Sequence, residues 1–170
     1  ADARVMALQN GEVDFSAESL QAQDIELLEA NNNISFMETK GSRGFHLMFD
    51  YENKVLQDKN IRLALNYALD RNAYVDALGS EDVTAISRYV LPILPGTHKT
   101  FGEEYPLEAF PLNGDAQKAT DYLNAALQDL GLKEASDIRL ELLVSDDYWA
   151  RTEANIIKEQ LESVLGIYIN

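Results

Sequence analysis

With 170 residues and 46% hydrophobic side chains, the chain has the material for one domain of ordinary size, and no apolar run approaches the ~20 residues that span a bilayer. Fourteen basic against 29 acidic side chains give a formal charge of −15, a surface that repels phosphate backbones and argues against a nucleic-acid partner. The Cys count of zero excludes disulfides, thiolate metal sites and Cys nucleophiles.

The opening run ADARVMALQNGEVD reads as the inside of a helix and the closing run GIYIN as the inside of a strand. With no initiator Met, signal peptide or lipidation motif, the sequence is expected to be an excised piece of a longer protein. Residues 1–10 read as the tail of a helix ended by Asn10-Gly11. Glu12–Phe15 predicts a short strand. Leu20, Ile25, Leu27 and Leu28 predict an amphipathic helix over 18–30, halted by the Asn31–Asn33 cluster. Asn33-Ile34-Ser35 has the form of a glycosylation sequon, but triplets this short arise often by chance.

Two extended stretches follow, Ile34–Glu38 and Gly44–Tyr51. In the second, Phe45, Leu47 and Phe49 alternate with His46, Met48 and Asp50, which predicts a strand burying the first set. The opposite face then carries polar and soft groups of the kind a ligand cleft uses. Asp58 stands where an N-cap belongs, and Ile61, Ala64, Leu65, Ala68 and Leu69 follow as one apolar stripe. Arg62, Asn66 and Arg71 fall off it, while Tyr74, Val75 and Leu78 carry helical character on to Gly79.

From Gly79 to Asn113 the chain reads as mostly irregular and holds all 4 prolines, a loop long enough to suggest function. Asp115 is a second good N-cap, and Ala116, Ala119, Leu123, Ala126, Leu127 and Leu130 predict the cleanest helix, ended by Gly131. Ile138, Leu140 and Leu142 alternate as a strand. Ala150, Ala154, Ile157, Leu161 and Val164 predict a helix up to Gly166, after which a further strand begins. This last stretch reads as a βαβ unit with parallel strands, so the class is α/β.

No constellation for catalysis emerges. The 2 histidines, His46 and His98, lack an acidic partner at a motif distance, and no zinc-protease, nucleophile-elbow, P-loop or dinucleotide-binding pattern occurs. Asp50–Lys54 has the look of a calcium loop, but Lys54 stands where a ligand is wanted and no Gly follows at the turn. Glu103-Glu104 and Asp146-Asp147 would serve a hydrolase in principle, yet among 29 carboxylates such pairs are expected by chance. The expectation is no enzyme, no cofactor and no metal.

Leu56–Leu78, LQDKNIRLALNYALDRNAYVDAL, resembles the signature stretch of the family 5 extracellular solute-binding proteins. In that family an aromatic strand leads to a helix of the pattern D-x-x-[IV]-R-x-A-[IL]-N-x-A-[IL]-D-R. Asp58, Ile61, Arg62, Ala64, Leu65, Asn66, Ala68, Leu69, Asp70 and Arg71 fill every position of it. Leu8–Phe15 resembles the family's G-E-x-D stretch, Phe45–Asp50 its strand before the signature helix, and Val90–Gly96 its proline-bearing loop. Asn113–Leu132 and Ile156–Asn170 resemble two further helices of the family. Two departures stand out: an idiosyncratic loop between Gly79 and Asn113, and a lengthened ending at Ala126–Leu130.

This resemblance implies part of a two-lobed periplasmic-binding-protein-like (class II) clamp, with residues 1–38 ending the first lobe and 39–170 opening the second, whose remainder would lie past Asn170. It implies an extracellular receptor, periplasmic or a cell-surface lipoprotein, that holds small peptides largely through their main chain and delivers them to the permease of an ABC importer. Any membrane contact would run through a lipid anchor or the permease, outside this piece. A ligand-sensing regulatory domain of the same fold, or a carrier of a nickel complex, sugar or opine, stands as the alternative. Asp70 and Arg71 are expected to stop the signature helix and tie it to neighbouring backbone rather than to touch ligand. The candidate ligand residues are His46 and Met48 on the exposed face of the strand, with Arg88 and Tyr89 in the proline-bearing loop. A satisfied core or surface histidine is an equally open reading of His46.

Overall fold

The computed structural model of the chain describes residues 3–16, 22–37, 41, 43–79 and 83–170. These fall into two units, Ala1–Lys40 and Gly41–Asn170. In the first, helix α1 (Ala3–Gln9) meets helix α2 (Ala22–Glu29), with Val5 and Leu28 fully buried. Gly11, at φ +69°, lets the chain turn back at the end of α1, and the Glu12 N–H donates to the Ala7 carbonyl at 2.9 Å. That bond closes the helix end, so the strand expected at Glu12–Phe15 is absent and those residues are irregular. The helix expected over 18–30 begins at Ala22, and Leu20 lies outside the described residues. Ile34 to Met37 also join no ladder among the described residues, and Glu38 lies outside them.

The second unit is built around a helix with a well-capped start. Asp58 accepts from the N–H groups of Asn60 and Ile61 at 2.7 and 3.0 Å and starts helix α4 (Lys59–Ala68), just after the short helix α3 (Lys54–Gln57). The apolar stripe of α4 is buried as its spacing predicts: Ile61, Ala64, Leu65 and Ala68 face helix α7 (Ala116–Leu130), which contributes Ala119, Leu123 and Ala126. Alanines on both sides let the two helix backbones approach closely.

The helical run does not continue unbroken to Gly79. Leu69 and Asp70 are extended, and Asp70 caps a separate helix, α5 (Arg71–Leu78), by accepting from the Ala73 N–H at 2.8 Å. Asp70 therefore starts a new helix as well as ending the old one, a dual role that periodicity alone did not show.

The long proline-bearing region is more ordered than expected. It holds a one-turn helix, α6 (Phe101–Glu104), and an antiparallel bridge between Pro95 and Thr100. Beyond α7, strand β1 (Arg139–Leu140), helix α8 (Tyr148–Leu165) and strand β2 (Tyr168–Ile169) form the expected βαβ unit. The strands are parallel, with Arg139 opposite Tyr168 and Leu140 opposite Ile169. Ile138, Leu140, Leu161, Leu165, Ile167 and Ile169 complete the α/β core begun by α4 and α7.

The strand expected at Gly44–Tyr51 is not formed: residues 43–50 are irregular and have no ladder partner among the described residues. Phe49 packs on the core and Leu47 is half-buried, as alternation predicts, but Phe45 is 70% exposed and corrects that part of the reading. Without a neighbouring strand the period of two is held only where the segment touches the core, at its Phe49 end.

Candidate functional site

Of the residues singled out from the sequence, His46 and Tyr89 come together where the segment 43–48 runs beside residues 89–91, and Arg88 precedes Tyr89 in the chain. The His46 and Tyr89 rings lie with centroids 5.1 Å apart and planes inclined by 46°. Gly44 permits this approach, since a Cβ there would sit 3.0 Å from both His46 Cε1 and Leu91 Cδ2. The Arg88 guanidinium donates from Nη1 to the Tyr105 carbonyl at 2.6 Å, which brings in the Phe101–Tyr105 ring pair at 5.0 Å. Tyr89 is 83% exposed, so one flank of its ring rests on His46 and the rest faces outward. Met48 is 92% exposed and takes no part in these ring and hydrogen-bond contacts. The His46–Tyr89 pair offers an imidazole beside an exposed phenol, while the Arg88 guanidinium is engaged with the Tyr105 carbonyl.

Beside them lies a group that the sequence did not flag. Ser87 is buried, and its hydroxyl has no hydrogen-bond partner among the described residues. A small polar residue in a loop carries no pattern that would have marked it.

The carboxylate pairs are spent on structure. Glu104 accepts from the backbone N–H groups of Thr97, His98 and Lys99, which hold its carboxyl below the usual carboxylate range. Gly96 leaves the room, since a Cβ there would stand 2.5 Å from Glu104 Oε2. Glu103 closes a capping box with Thr100, whose backbone and then side-chain hydrogen bonds lower its pKa as well. The Thr-x-x-Glu spacing is the sequence signal that could have marked this box, and the sequence reading missed it. Asp147 caps α8 through the Ala150 N–H, the main cause of its lowered pKa, while Asp146 pairs with Arg151. Asp50 and Asn53, in the calcium-like run, accept from the N–H groups of Glu52 and Val55. Among the described residues no group of three or more His, Asp or Glu is placed to hold a metal, and no helix is long and apolar enough to cross a membrane.

Arg62, Asn66, Asp70 and Arg71 of the Asp58–Arg71 stretch bind chiefly backbone groups, while the Asn60 side-chain amide donates to Asp129 Oδ2 at 3.0 Å. Arg62 Nη1 donates to the Leu56 and Gln57 carbonyls at 2.7 and 2.8 Å. Arg71 Nη1 donates to the Asn66 and Leu69 carbonyls at 3.2 Å each, and Nη2 to Asn66 Oδ1 at 3.3 Å, with burial lowering the guanidinium's pKa. From α8, the Gln160 carboxamide bonds the Asp70 peptide group on both sides. These contacts fix the end of α4 and the start of α5.

A helix so capped, packed on a βαβ unit, is an α/β arrangement that many folds share, and comparison with known proteins assigns it to one of them. The family model for "Bacterial extracellular solute-binding proteins, family 5 Middle" matches residues 1–170. The chain belongs to that family. It is similar to the oligopeptide-binding protein OppA of Bacillus subtilis (strain 168), 28% identical over 162 residues, which are 94% of this chain and 28% of that protein. Among solved structures it resembles the ABC transporter substrate-binding protein CtaP of Listeria monocytogenes, at 23% identity and a TM-score of 0.71 over 99% of this chain and 32% of the other. It also resembles the substrate-binding domain of an oligopeptide ABC transporter from Bacillus anthracis str. Ames, at 21% identity and a TM-score of 0.63, again over 99% and 32%. At those identities the structural likeness speaks for the fold. The chain thus spans less than a third of the length of these relatives.

Proposed function

We propose that this chain is one segment of an extracellular peptide receptor, periplasmic or anchored at the cell surface, which captures oligopeptides and hands them to an ABC import permease. The family membership of residues 1–170 carries this reading, supported by the relative named for oligopeptide binding. In it, residues 1–38 end the first lobe, residues 39–170 open the second, and closure of the lobes about a hinge encloses the ligand. His46, Met48, Arg88 and Tyr89 supply part of the cleft surface. Arg88 and the His46–Tyr89 pair hold polar groups of the peptide, and Met48 offers an adaptable apolar contact. Recognition that leans on the peptide main chain gives breadth, because backbone groups are common to every sequence.

The test is mass spectrometry of the molecules released by denaturing the full-length receptor after purification. Mixed short peptides are expected; a sugar or a metal chelate in their place would remove the peptide assignment.

A further inference from the structure

A second exposed patch lies at the carboxyl end of β1. Strand pairing ends where the Leu142 N–H donates to the Asn170 carbonyl at 2.9 Å, and residues 143–147 then lead into α8. Leu143 is 96% exposed and Tyr148 74% exposed, with Val144 and Trp149 also on the surface. Such side chains would ordinarily be buried, and none of them belongs to the core. The Tyr148 and Trp149 rings meet edge to face, with centroids 5.9 Å apart, so they form a fixed corner at the first turn of a well-capped helix.

Charge defines what suits that corner. Between residues 141 and 151 the charged side chains are Glu141, Asp146, Asp147 and Arg151, three carboxylates against one guanidinium. Asp146 already pairs with Arg151, and Asp147 is held ionised by the Ala150 N–H it caps. The excess is negative, and aromatic faces attract cations. The corner stands beyond the carboxyl end of β1, the end of a parallel strand from which α/β folds build their ligand crevices at topological switch points.

We infer that Tyr148 and Trp149 form a subsite for a basic side chain, lysine or arginine, of a bound peptide. The inference rests on the peptide-receptor reading above and adds a preference to it. The charged head sits against the Trp149 face, with the surplus carboxylates nearby, while the aliphatic stem covers Leu143 and Val144.

The experiment is calorimetric titration of the full-length receptor with matched oligopeptides in which one residue at a time is lysine or its uncharged analogue norleucine. At one position the parent should favour lysine, and Trp149→Ala should weaken that peptide by about two- to thirtyfold while leaving the norleucine peptide nearly unchanged. Trp149→Phe, which keeps the packing, should lose only part of the preference and guards against a folding defect in the alanine variant. Equal lysine affinity in parent and Trp149→Ala overturns the subsite with the peptide reading intact. So does a Trp149 emission, taken as the difference from Trp149→Phe, that acrylamide fails to quench in the peptide-free receptor, because the corner is then covered by the receptor itself. A parent that binds no peptide at all defeats the receptor reading and this inference with it.

Discussion

The Gln160 carboxamide treats the Asp70 peptide group as a neighbouring strand would: it accepts from the Asp70 N–H at 3.0 Å and donates to the Asp70 carbonyl at 3.1 Å. Asp70 is the break between α4 and α5, where helical bonding fails and backbone groups need partners. A side chain ninety residues further on supplies both. The helix break is therefore tied to α8 and to the βαβ unit.

Replacing Gln160 by Leu, which fills similar volume but bonds to neither group, should destabilise the fold by about 1–3 kcal/mol by stranding part-buried backbone. Gln160→Glu should be intermediate, retaining an acceptor but no donor. Urea midpoints at constant slope would measure both. A Gln160→Leu midpoint equal to that of the parent would mean that water satisfies the Asp70 peptide without help.

Gly114 and Gly131 have nearly the same left-handed backbone, φ +68° and +66°, but different surroundings. A Cβ on Gly131 meets open space, whereas on Gly114 it would sit 3.1 Å from both the Leu69 and Tyr67 carbonyl oxygens. The turn passes this close because the Asp115 N–H donates to the Tyr67 carbonyl at 2.7 Å. Gly131→Ala should cost about 1–2 kcal/mol for backbone strain alone, and Gly114→Ala more. Thermal melts of the two variants would rank them; equal costs would show that the turn shifts freely.

The Glu104 carboxyl is held below its ordinary value of 4.5 by the Thr97, His98 and Lys99 amides. In the unfolded chain the group takes up a proton first as pH falls, so its contribution is complete above about pH 4.5 and is lost as pH drops through the folded value. Protection of those three amides against hydrogen exchange should fall in that window. In Glu104→Gln it should be lower at neutral pH and flat across the window. An unchanged pH profile in the variant would assign the effect to another carboxylate.

At the other extreme, Tyr74 is raised to about 12 by burial and by the charge and hydrogen bond of Glu153. The unfolded phenol ionises first, near its ordinary value of 10.0, so this contribution is present below pH 10 and lost as pH rises toward 12. Tyr74→Phe should flatten the alkaline decline in stability, read as the urea midpoint between pH 9 and about 11. An undiminished decline would point to the other tyrosines or the lysines.

For the cleft, His46→Ala and Tyr89→Ala should each weaken peptide binding by the full-length receptor by about two- to tenfold, as expected for loss of one aromatic contact. Because Tyr89 is exposed, its variant should melt within a degree or two of the parent. Unchanged affinity in both would move the ligand surface away from this pair.

Local chemistry made much of the molecule readable from sequence. Asp58, Asp115 and the glycines at 79, 131 and 166 marked helix ends, and the apolar stripes of α4, α7 and α8 marked their buried faces, because capping and amphipathic spacing are set within a few residues. The pattern running from Asp58 to Arg71 likewise marked the family. The tertiary structure decided where local signals end or compete. It split the signature helix at Asp70, where Gln160 offers an alternative partner, and it left the 43–50 segment irregular with no strand beside it among the described residues, exposing Phe45. It also brought His46 to Tyr89 across more than forty residues of chain and turned Glu104 from one of many carboxylates into the anchor of a loop. Those outcomes depend on which distant backbone groups come within hydrogen-bonding reach, and sequence spacing carries no measure of that distance.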